Sequence, residues 1–260
     1  MMTYTAQLLG TATVLLEYGD LTMLTDPALD PGGGSYDLGF VTIDKTRDPH
    51  RGPAQLPPVD VVLLSHDQHA DNLDEAGRAL LEEVPLVLTT TEGAERLGSN
   101  AVGLEPWSTH RVGAVTITAV PARHGPAEAV PVVGPVVGFV VTSPNGPTVY
   151  VSGDTVPHDG TDEIVERYGG AVDYALLHAG SVAQPGDDGL TFFTMTAAEA
   201  ADLAERLAAT AVSIIHADSW SHFRELMPDA LSVVDSSPVG PRLVDLSDGR
   251  ARDYVSPPGA

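Results

Sequence analysis

At 260 residues, with 43% hydrophobic and 19% charged residues, the chain is long enough to bury a sizeable core, and we expect one domain over residues 1–260. Thirteen Lys and Arg against 36 Asp and Glu give a net charge of -23 with no basic cluster, which argues against nucleic acid as a partner. Cysteine is absent, so disulfides and thiolate metal sites are excluded. The first ten residues carry no basic segment followed by an apolar one. The longest apolar stretch, 129–141, is too short and too rich in proline and glycine to span a bilayer. A cytoplasmic protein without membrane insertion is the expectation.

The chain opens with three strand patterns, Tyr4–Leu9, Thr13–Tyr18 and Leu21–Thr25, separated by Gly10 and the Gly19-Asp20 turn. Residues 30–58 hold three consecutive glycines and several prolines, and read as a long flap beside a site. Val59–Leu64 is a continuous apolar run, as in a strand buried on both faces, and it ends in Ser65-His66-Asp67. A helix over Asn72–Glu82, a strand over Leu86–Thr90 and a helix over Glu92–Leu97 follow. Strands are expected at Val112–Val120, Val136–Thr142, Thr148–Ser152 and Val172–Leu177, with a helix over Thr161–Tyr168 between the last two. Thr196-Ala-Ala-Glu199 fits a capping box, with Ala200, Leu203, Ala204 and Leu207 on one helical face. Ala211–Ile215 reads as a strand, Trp220–Met227 as a short helix and Arg242–Leu246 as a last strand. Hairpins first and alternating strands and helices later suit an α+β fold, with two sheets face to face and helices outside.

The histidines carry the chemistry. His66, His69, His124, His178 and His216 each fall at or just past the C-terminal end of an expected strand, as does Asp154 in Ser152-Gly-Asp-Thr155. A rigid scaffold presents functional groups on such loops. The densest stretch, Ser65-His-Asp-Gln-His-Ala-Asp-Asn-Leu-Asp74, places His66, Asp67, His69 and Asp71 within six residues. Divalent ions need several N and O donors converging within about 2.0–2.6 Å. The plainer reading of the same stretch is a polar loop that caps the following helix. No G-x-S-x-G, P-loop or dinucleotide fingerprint competes.

The segment 65–74 resembles the H-x-H-x-D-H signature of the metallo-β-lactamase superfamily, followed by Leu-Asp. The order of later elements is similar as well: Pro121-Ala-Arg-His124-Gly, Ser152-Gly-Asp154-Thr, Ile214-Ile-His216, and the early Leu24-Thr-Asp26-Pro27. The likeness spans roughly residues 5 to 220. Within the superfamily the chain looks most like the lactonase branch acting on ascorbate 6-phosphate, and the N-acyl-phosphatidylethanolamine phospholipase D group. The resemblance implies a four-layer αββα sandwich of two mixed sheets. Two alignments of the signature exist, and the one that keeps Leu73-Asp74 in place is preferred. It sets Asp67 at the first His position and Asn72 at the last.

The implied site then holds one ion by His69, His124 and Asp67, and a second by Asp71 and His216 with Asp154 bridging. Asn72 lends a neutral oxygen or orders the loop. His66 is left behind the ligands or facing solvent. One or two ions are expected, with carboxylate content favouring Mn²⁺ or Fe²⁺ over Zn²⁺. Asp71, as in the family, would orient a water and accept its proton. The implied reaction is hydrolysis of an ester, lactone, amide or phosphodiester of a small molecule. His178 is a candidate for oxyanion or substrate binding, and His222 for lining the pocket. His110 reads as structural, and His50 and His158 as turn residues. The second reading is a catalytically degenerate member that acts as a binding or scaffold module, because Asp67 and Asn72 stand where the family uses His. Whether copies of the chain associate is left open.

Overall fold

The computed structural model describes residues 4–39, 41–186 and 189–254. Strands β1 (Tyr4–Gly10), β2 (Thr13–Tyr18) and β3 (Leu21–Thr25) form an antiparallel meander. A small hairpin of β4 (Ser35–Asp37) and β5 (Thr42–Asp44) interrupts the following loop. Then come β6 (Val61–Leu63), α1 (Glu75–Leu81), β7 (Leu86–Thr89), α2 (Thr91–Leu97) and β8 (Ala101–Gly103), with β6, β7 and β8 added in parallel beside β3. The second half runs through β9 (Thr109–Val112), β10 (Val115–Ala122), α3 (Val130–Val133), β11 (Val136–Thr142) and β12 (Val149–Val151). It continues with α4 (Asp159–Tyr168), β13 (Tyr174–His178), the hairpin β14 (Ala183–Gly186) and β15 (Gly189–Phe192), and α5 (Ala197–Arg206). It ends with β16 (Ala211–Ile215), α6 (Met227–Asp235) and β17 (Arg252–Tyr254).

The result is an αββα sandwich. One sheet has seven strands in the order β17-β1-β2-β3-β6-β7-β8, the other six in the order β16-β13-β12-β11-β10-β9. Strand alternation explains the layering. Val14, Leu16 and Tyr18 of β2, Met23 of β3, Val61 and Leu63 of β6 and Leu88 of β7 join one core with Ile117, Phe139, Val141 and Tyr150 of the second sheet. The intervening Leu15, Leu24, Val62 and Val87 face the other way and pack with Leu73, Leu81 and Val84 around α1. On the far side, Ala197, Ala200, Leu203 and Ala204 seat α5 on the second sheet. Its capping box forms as expected, Thr196 Oγ1 accepting from the Glu199 amide at 3.2 Å and the Glu199 carboxylate from the Thr196 amide at 2.9 Å.

Several boundaries differ from the sequence expectation. The strand expected over Val112–Val120 divides into β9 and β10, because Gly113 turns the chain at φ +59. α1 starts at Glu75 rather than Asn72, since Asp74 caps it by accepting from the Gly77 amide at 2.9 Å. The segment Trp220–Met227 is not a helix. Trp220 instead pairs with Lys45, its indole nitrogen donates to Thr11 Oγ1 at 2.9 Å, and Pro228 opens the following helix α6 rather than ending one. Arg242–Leu246 contributes one bridge, Leu243 to Val212, and the last strand is β17. No helix among the described residues is long and apolar enough to cross a membrane.

Candidate metal centre

The C-terminal ends of β3, β6, β10, β12, β13 and β16 deliver Asp26, the 65–74 loop, His124, Asp154, His178 and His216 to one edge of the sandwich. Asp26, His124, Asp154, His178 and His216 are buried, as are His66, Asp67, His69, Asp71 and Asn72 of the loop. Tight backbone makes the approach possible: Gly153, just before Asp154, has φ +64, and a Cβ there would stand 2.6 Å from the Val137 carbonyl oxygen. His216 itself adopts φ +59, and its amide donates to the Thr11 carbonyl. Strained non-glycine backbone of this kind concentrates at functional sites.

Two adjacent groups result. His66, His69 and His124 each offer a ring nitrogen, and Asp71, Asp154 and His216 each offer one ligand atom, with the atoms of each group within 4.8 Å of one another. Two donors about 2.1 Å from one ion stand at most about 4.2 Å apart, so either group needs little adjustment to close on a cation. His66 Nε2 lies 3.0 Å from His69 Nδ1. His124 Nδ1 donates to the Phe193 carbonyl at 2.8 Å, which turns Nε2 toward Asp154 Oδ2, 3.9 Å away. His216 Nε2 stands 3.2 Å from Asp71 Oδ2 and 3.4 Å from Asp154 Oδ1. Both carboxylate oxygens of Asp154, both ring nitrogens of His216 and Oδ1 of Asn72 are buried with no hydrogen-bond partner. Such atoms are expensive unless something else satisfies them, and a divalent cation would.

The electrostatics fit the same picture. Burial holds His66 well below the usual imidazole range and pushes His124 down to about 3, while their imidazole neighbours add to the shift. Burial lowers His69 as well. All three are therefore neutral ligands at neutral pH. Burial raises Asp154 to about 7. Burial also pushes Asp71 upward, but the His216 and His222 rings facing it outweigh that and hold its carboxyl well below the usual range.

A cavity of about 270 Å³ opens over this floor, lined by His69, Asp71, His124 and His222. Its walls come from the 35–44 hairpin, from α3 and from the β14–β15 hairpin. The stretch expected to be a flap thus contributes one wall.

The profile of the family described as "Beta-lactamase superfamily domain" matches residues 22–217. The chain belongs to this superfamily. A UPF0173 metal-dependent hydrolase of Myxococcus xanthus is 32% identical over 192 residues, a match that covers 70% of this chain and 63% of that protein's own length. Among solved structures, an isothiocyanate hydrolase from Delia radicum gut bacteria superposes with a TM-score of 0.81 at 21% identity, covering 97% of this chain and 100% of that one. A possible metal-dependent hydrolase from Veillonella parvula superposes with a TM-score of 0.78 at 18% identity, over 97% and 99% of the two chains. These likenesses reach the superfamily but single out no lactonase branch within it.

For a member of the beta-lactamase superfamily, the signature loop is drawn differently here from the preferred alignment. Asp67 is not in either ligand group. Both of its oxygens accept from Arg96, at 2.5 and 2.9 Å, and Arg78 donates to its carbonyl oxygen. His66 takes the inward position instead, with Nδ1 2.9 Å from Ser65 Oγ. The loop holds one extra residue between its two histidines, and the chain turns Asp67 outward to absorb it. Arg96 lies on α2, 29 positions from Asp67, so no local pattern announces the pairing. His69, Asp71, His124, Asp154 and His216 are brought together in the two adjacent groups.

His178 is fully buried behind the ligands, not in the cavity. Its Nε2 lies 3.2 Å from Asp26 Oδ2 and its Nδ1 3.0 Å from Ser152 Oγ, while Asp26 Oδ1 accepts from the Ser65 amide at 2.7 Å. Through these bonds it ties Asp26, and with it the head of the 65–74 loop, to the strand end that carries Ser152. His222 does reach the cavity, with Nε2 3.0 Å from Asp71 Oδ2. His110 pairs across β9 with Ile117, and His158 Nδ1 donates to the Val156 carbonyl at 3.0 Å, both outside the two groups.

Proposed function

We propose that the chain is a metal-dependent hydrolase acting on a small molecule, with up to two divalent ions held by His66, His69 and His124 and by Asp71, Asp154 and His216. The observation that carries this reading is the pair of buried ligand groups at the floor of an open cavity, with the atoms of Asp154 and His216 unpartnered. Bound ions would supply Lewis acidity toward water and toward a substrate carbonyl or phosphoryl oxygen. Asp71 accepts a proton from an attacking water. Its carboxylate is kept ionised by the two imidazoles that face it. His222 orients Asp71 through their 3.0 Å contact and presents its ring to the substrate. The His178–Asp26–Ser65 chain fixes the loop that carries His66, His69 and Asp71.

The nitrogen-rich group suits Zn²⁺, and the oxygen-rich group accepts Mn²⁺ or Fe²⁺ equally well. Esters, lactones and phosphodiesters all fit this chemistry, and a structural relative that hydrolyses isothiocyanates adds that class to the panel. An ascorbate 6-phosphate type of substrate has little support, because no Lys or Arg lines the cavity among the described residues. The degenerate reading loses its first motive, since His66 supplies the imidazole that Asp67 does not. Elemental analysis of purified protein before and after chelation tests the proposal. Metal bound at one or two equivalents, with hydrolysis lost on chelation and restored on reloading, is expected. Full activity in the metal-free protein would overturn it.

A further inference from the structure

The three walls of the cavity share one property. Leu38, Val41 and Ile43 face it from the 35–44 hairpin, and Val132 and Val133 from α3. Val182 and Phe193, at the ends of the β14–β15 hairpin, close the third side. Apart from the four floor residues, Gln184 is the polar lining side chain among the described residues, and no Lys or Arg is present. Val132 is 69% exposed at the mouth, where burial by a long ligand would be favourable. A chain of net charge -23 adds a field that repels anions.

The apolar wall is also held firmly. Lys45, 1% exposed, donates to Asp74 Oδ2 and to the Ala28 carbonyl, both at 2.8 Å, and Tyr36 donates to Asp30 Oδ2 at 2.7 Å. These bonds tie the 35–44 hairpin to the start of α1 and to the loop after β3. A buried ion pair is weak evidence for stability, but these three bonds anchor the hairpin to its neighbours. The wall is therefore built before a ligand arrives, as is usual for small-molecule sites.

We infer that the site selects uncharged substrates whose reactive carbon carries an apolar acyl or alkyl body, and that it discriminates against phosphorylated and carboxylated ones. The inference rests on the hydrolase reading for the word substrate, but the pocket can be tested without turnover.

The test is calorimetric binding of straight-chain alkyl hydroxamates, two to eight carbons long, to the metal-loaded protein, alongside the eight-carbon hydroxamate bearing a terminal carboxylate. Kd is expected to fall about three- to four-fold per methylene until the cavity fills. The terminal carboxylate is expected to weaken binding at least ten-fold relative to the alkyl compound of the same length. In Val41→Lys, with wild-type metal content, the length dependence should flatten and the carboxylate should become the better ligand. A Kd independent of chain length, a wild-type preference for the carboxylate, or no hydroxamate binding at all would overturn the inference. Length-dependent binding without turnover of any ester, lactone or isothiocyanate would instead overturn the hydrolase reading and leave the pocket assignment standing.

Discussion

The two ligand groups sit side by side but are prepared differently. The imidazole group is supported from behind: His66 leans on Ser65 and His124 on the Phe193 carbonyl. The Asp71–Asp154–His216 group is bare, with four of its buried polar atoms lacking any hydrogen bond. Without a cation, the first group survives as neutral, packed rings. The second leaves desolvated carboxylate oxygens, and Asp154 answers by keeping its proton up to about 7. The difference teaches where metal matters most for the structure. The nitrogen-rich half is organised by the protein, and the oxygen-rich half is waiting for a charge.

The largest expected effect tests that asymmetry directly. Asp154→Ala removes the carboxylate nearest both groups and should lose at least one equivalent of metal and lower activity by about 10³ or more. The same substitution should leave the metal-free protein as stable as the parent or slightly more so, because it deletes an unsatisfied buried group. Metal analysis, kinetics and melting curves on both forms read this out. A marked destabilisation of the metal-free variant would break the comparison. His69→Ala, in the supported half, should also lose metal and activity, but it opens a void and should destabilise both forms.

Metal removal comes next. Ligand binding to the folded state adds about 4 kcal/mol when free metal is about 1,000 times its Kd. For a chain of this size that is on the order of 8–16 °C in Tm. Chelation should lower Tm by this order, and reloading should restore it. An unchanged Tm would mean that the bare half is satisfied without a cation.

The pH response of the metal-free protein sharpens the same contrast. His66, His69 and His124 bind a proton less readily in the folded chain than in the unfolded one, where the imidazole titrates near about 6.5. As pH falls from about 6.5, the unfolded chain takes up protons that the folded chain refuses, down to about 3 for His124. The stability linked to these rings is therefore full above about 6.5 and lost toward 3. Asp154 works in the opposite direction, since its folded carboxyl holds a proton from about 7 downward and favours folding as pH falls toward the ordinary carboxylate range. Three rings against one carboxyl leave a net loss on acidification. Melting in excess chelator at pH 7.5 and at pH 5 should show the lower Tm at pH 5. A higher Tm there would show that Asp154 dominates.

How much of this was legible in the sequence follows from the range of each interaction. Hairpin strands, the α5 capping box and the strand-end positions of His69, His124, Asp154 and His216 depend on neighbours a few residues apart. Those patterns were readable and suited two face-to-face sheets with helices outside, while the four-layer αββα arrangement came from the resemblance to the superfamily. The direction of Asp67 depends on Arg96, and the burial of His178 on Asp26, 152 positions away. Nothing local encodes either contact. The hairpin walls of the cavity were hidden for a related reason: β4, β5, β14 and β15 are three or four residues long, too short for a periodic signal. Pro228 misled in the other direction, since a proline opens a helix as readily as it closes one.

The smallest expected effect concerns the residue the signature alignment would have made a ligand. Asp67 is bound on both oxygens by Arg96, whose side chain is half exposed, so solvent weakens the pair relative to a fully buried one. Arg96→Ala leaves a buried carboxylate facing a newly opened, wet gap, and should cost about 1–2 kcal/mol, or a few degrees in Tm. Metal content should not change, because the His66 and His69 rings that flank the loop's outward turn are positioned from Ser65 and from each other. Asp67→Asn keeps the shape, removes the charge and should behave in the same way with a smaller penalty. The contrast with Asp154→Ala is the informative part: two aspartates near one centre, one dispensable for metal and the other essential. Loss of a metal equivalent in Asp67→Asn with Arg96 intact would return Asp67 to the ligand set and exclude the outward turn seen here.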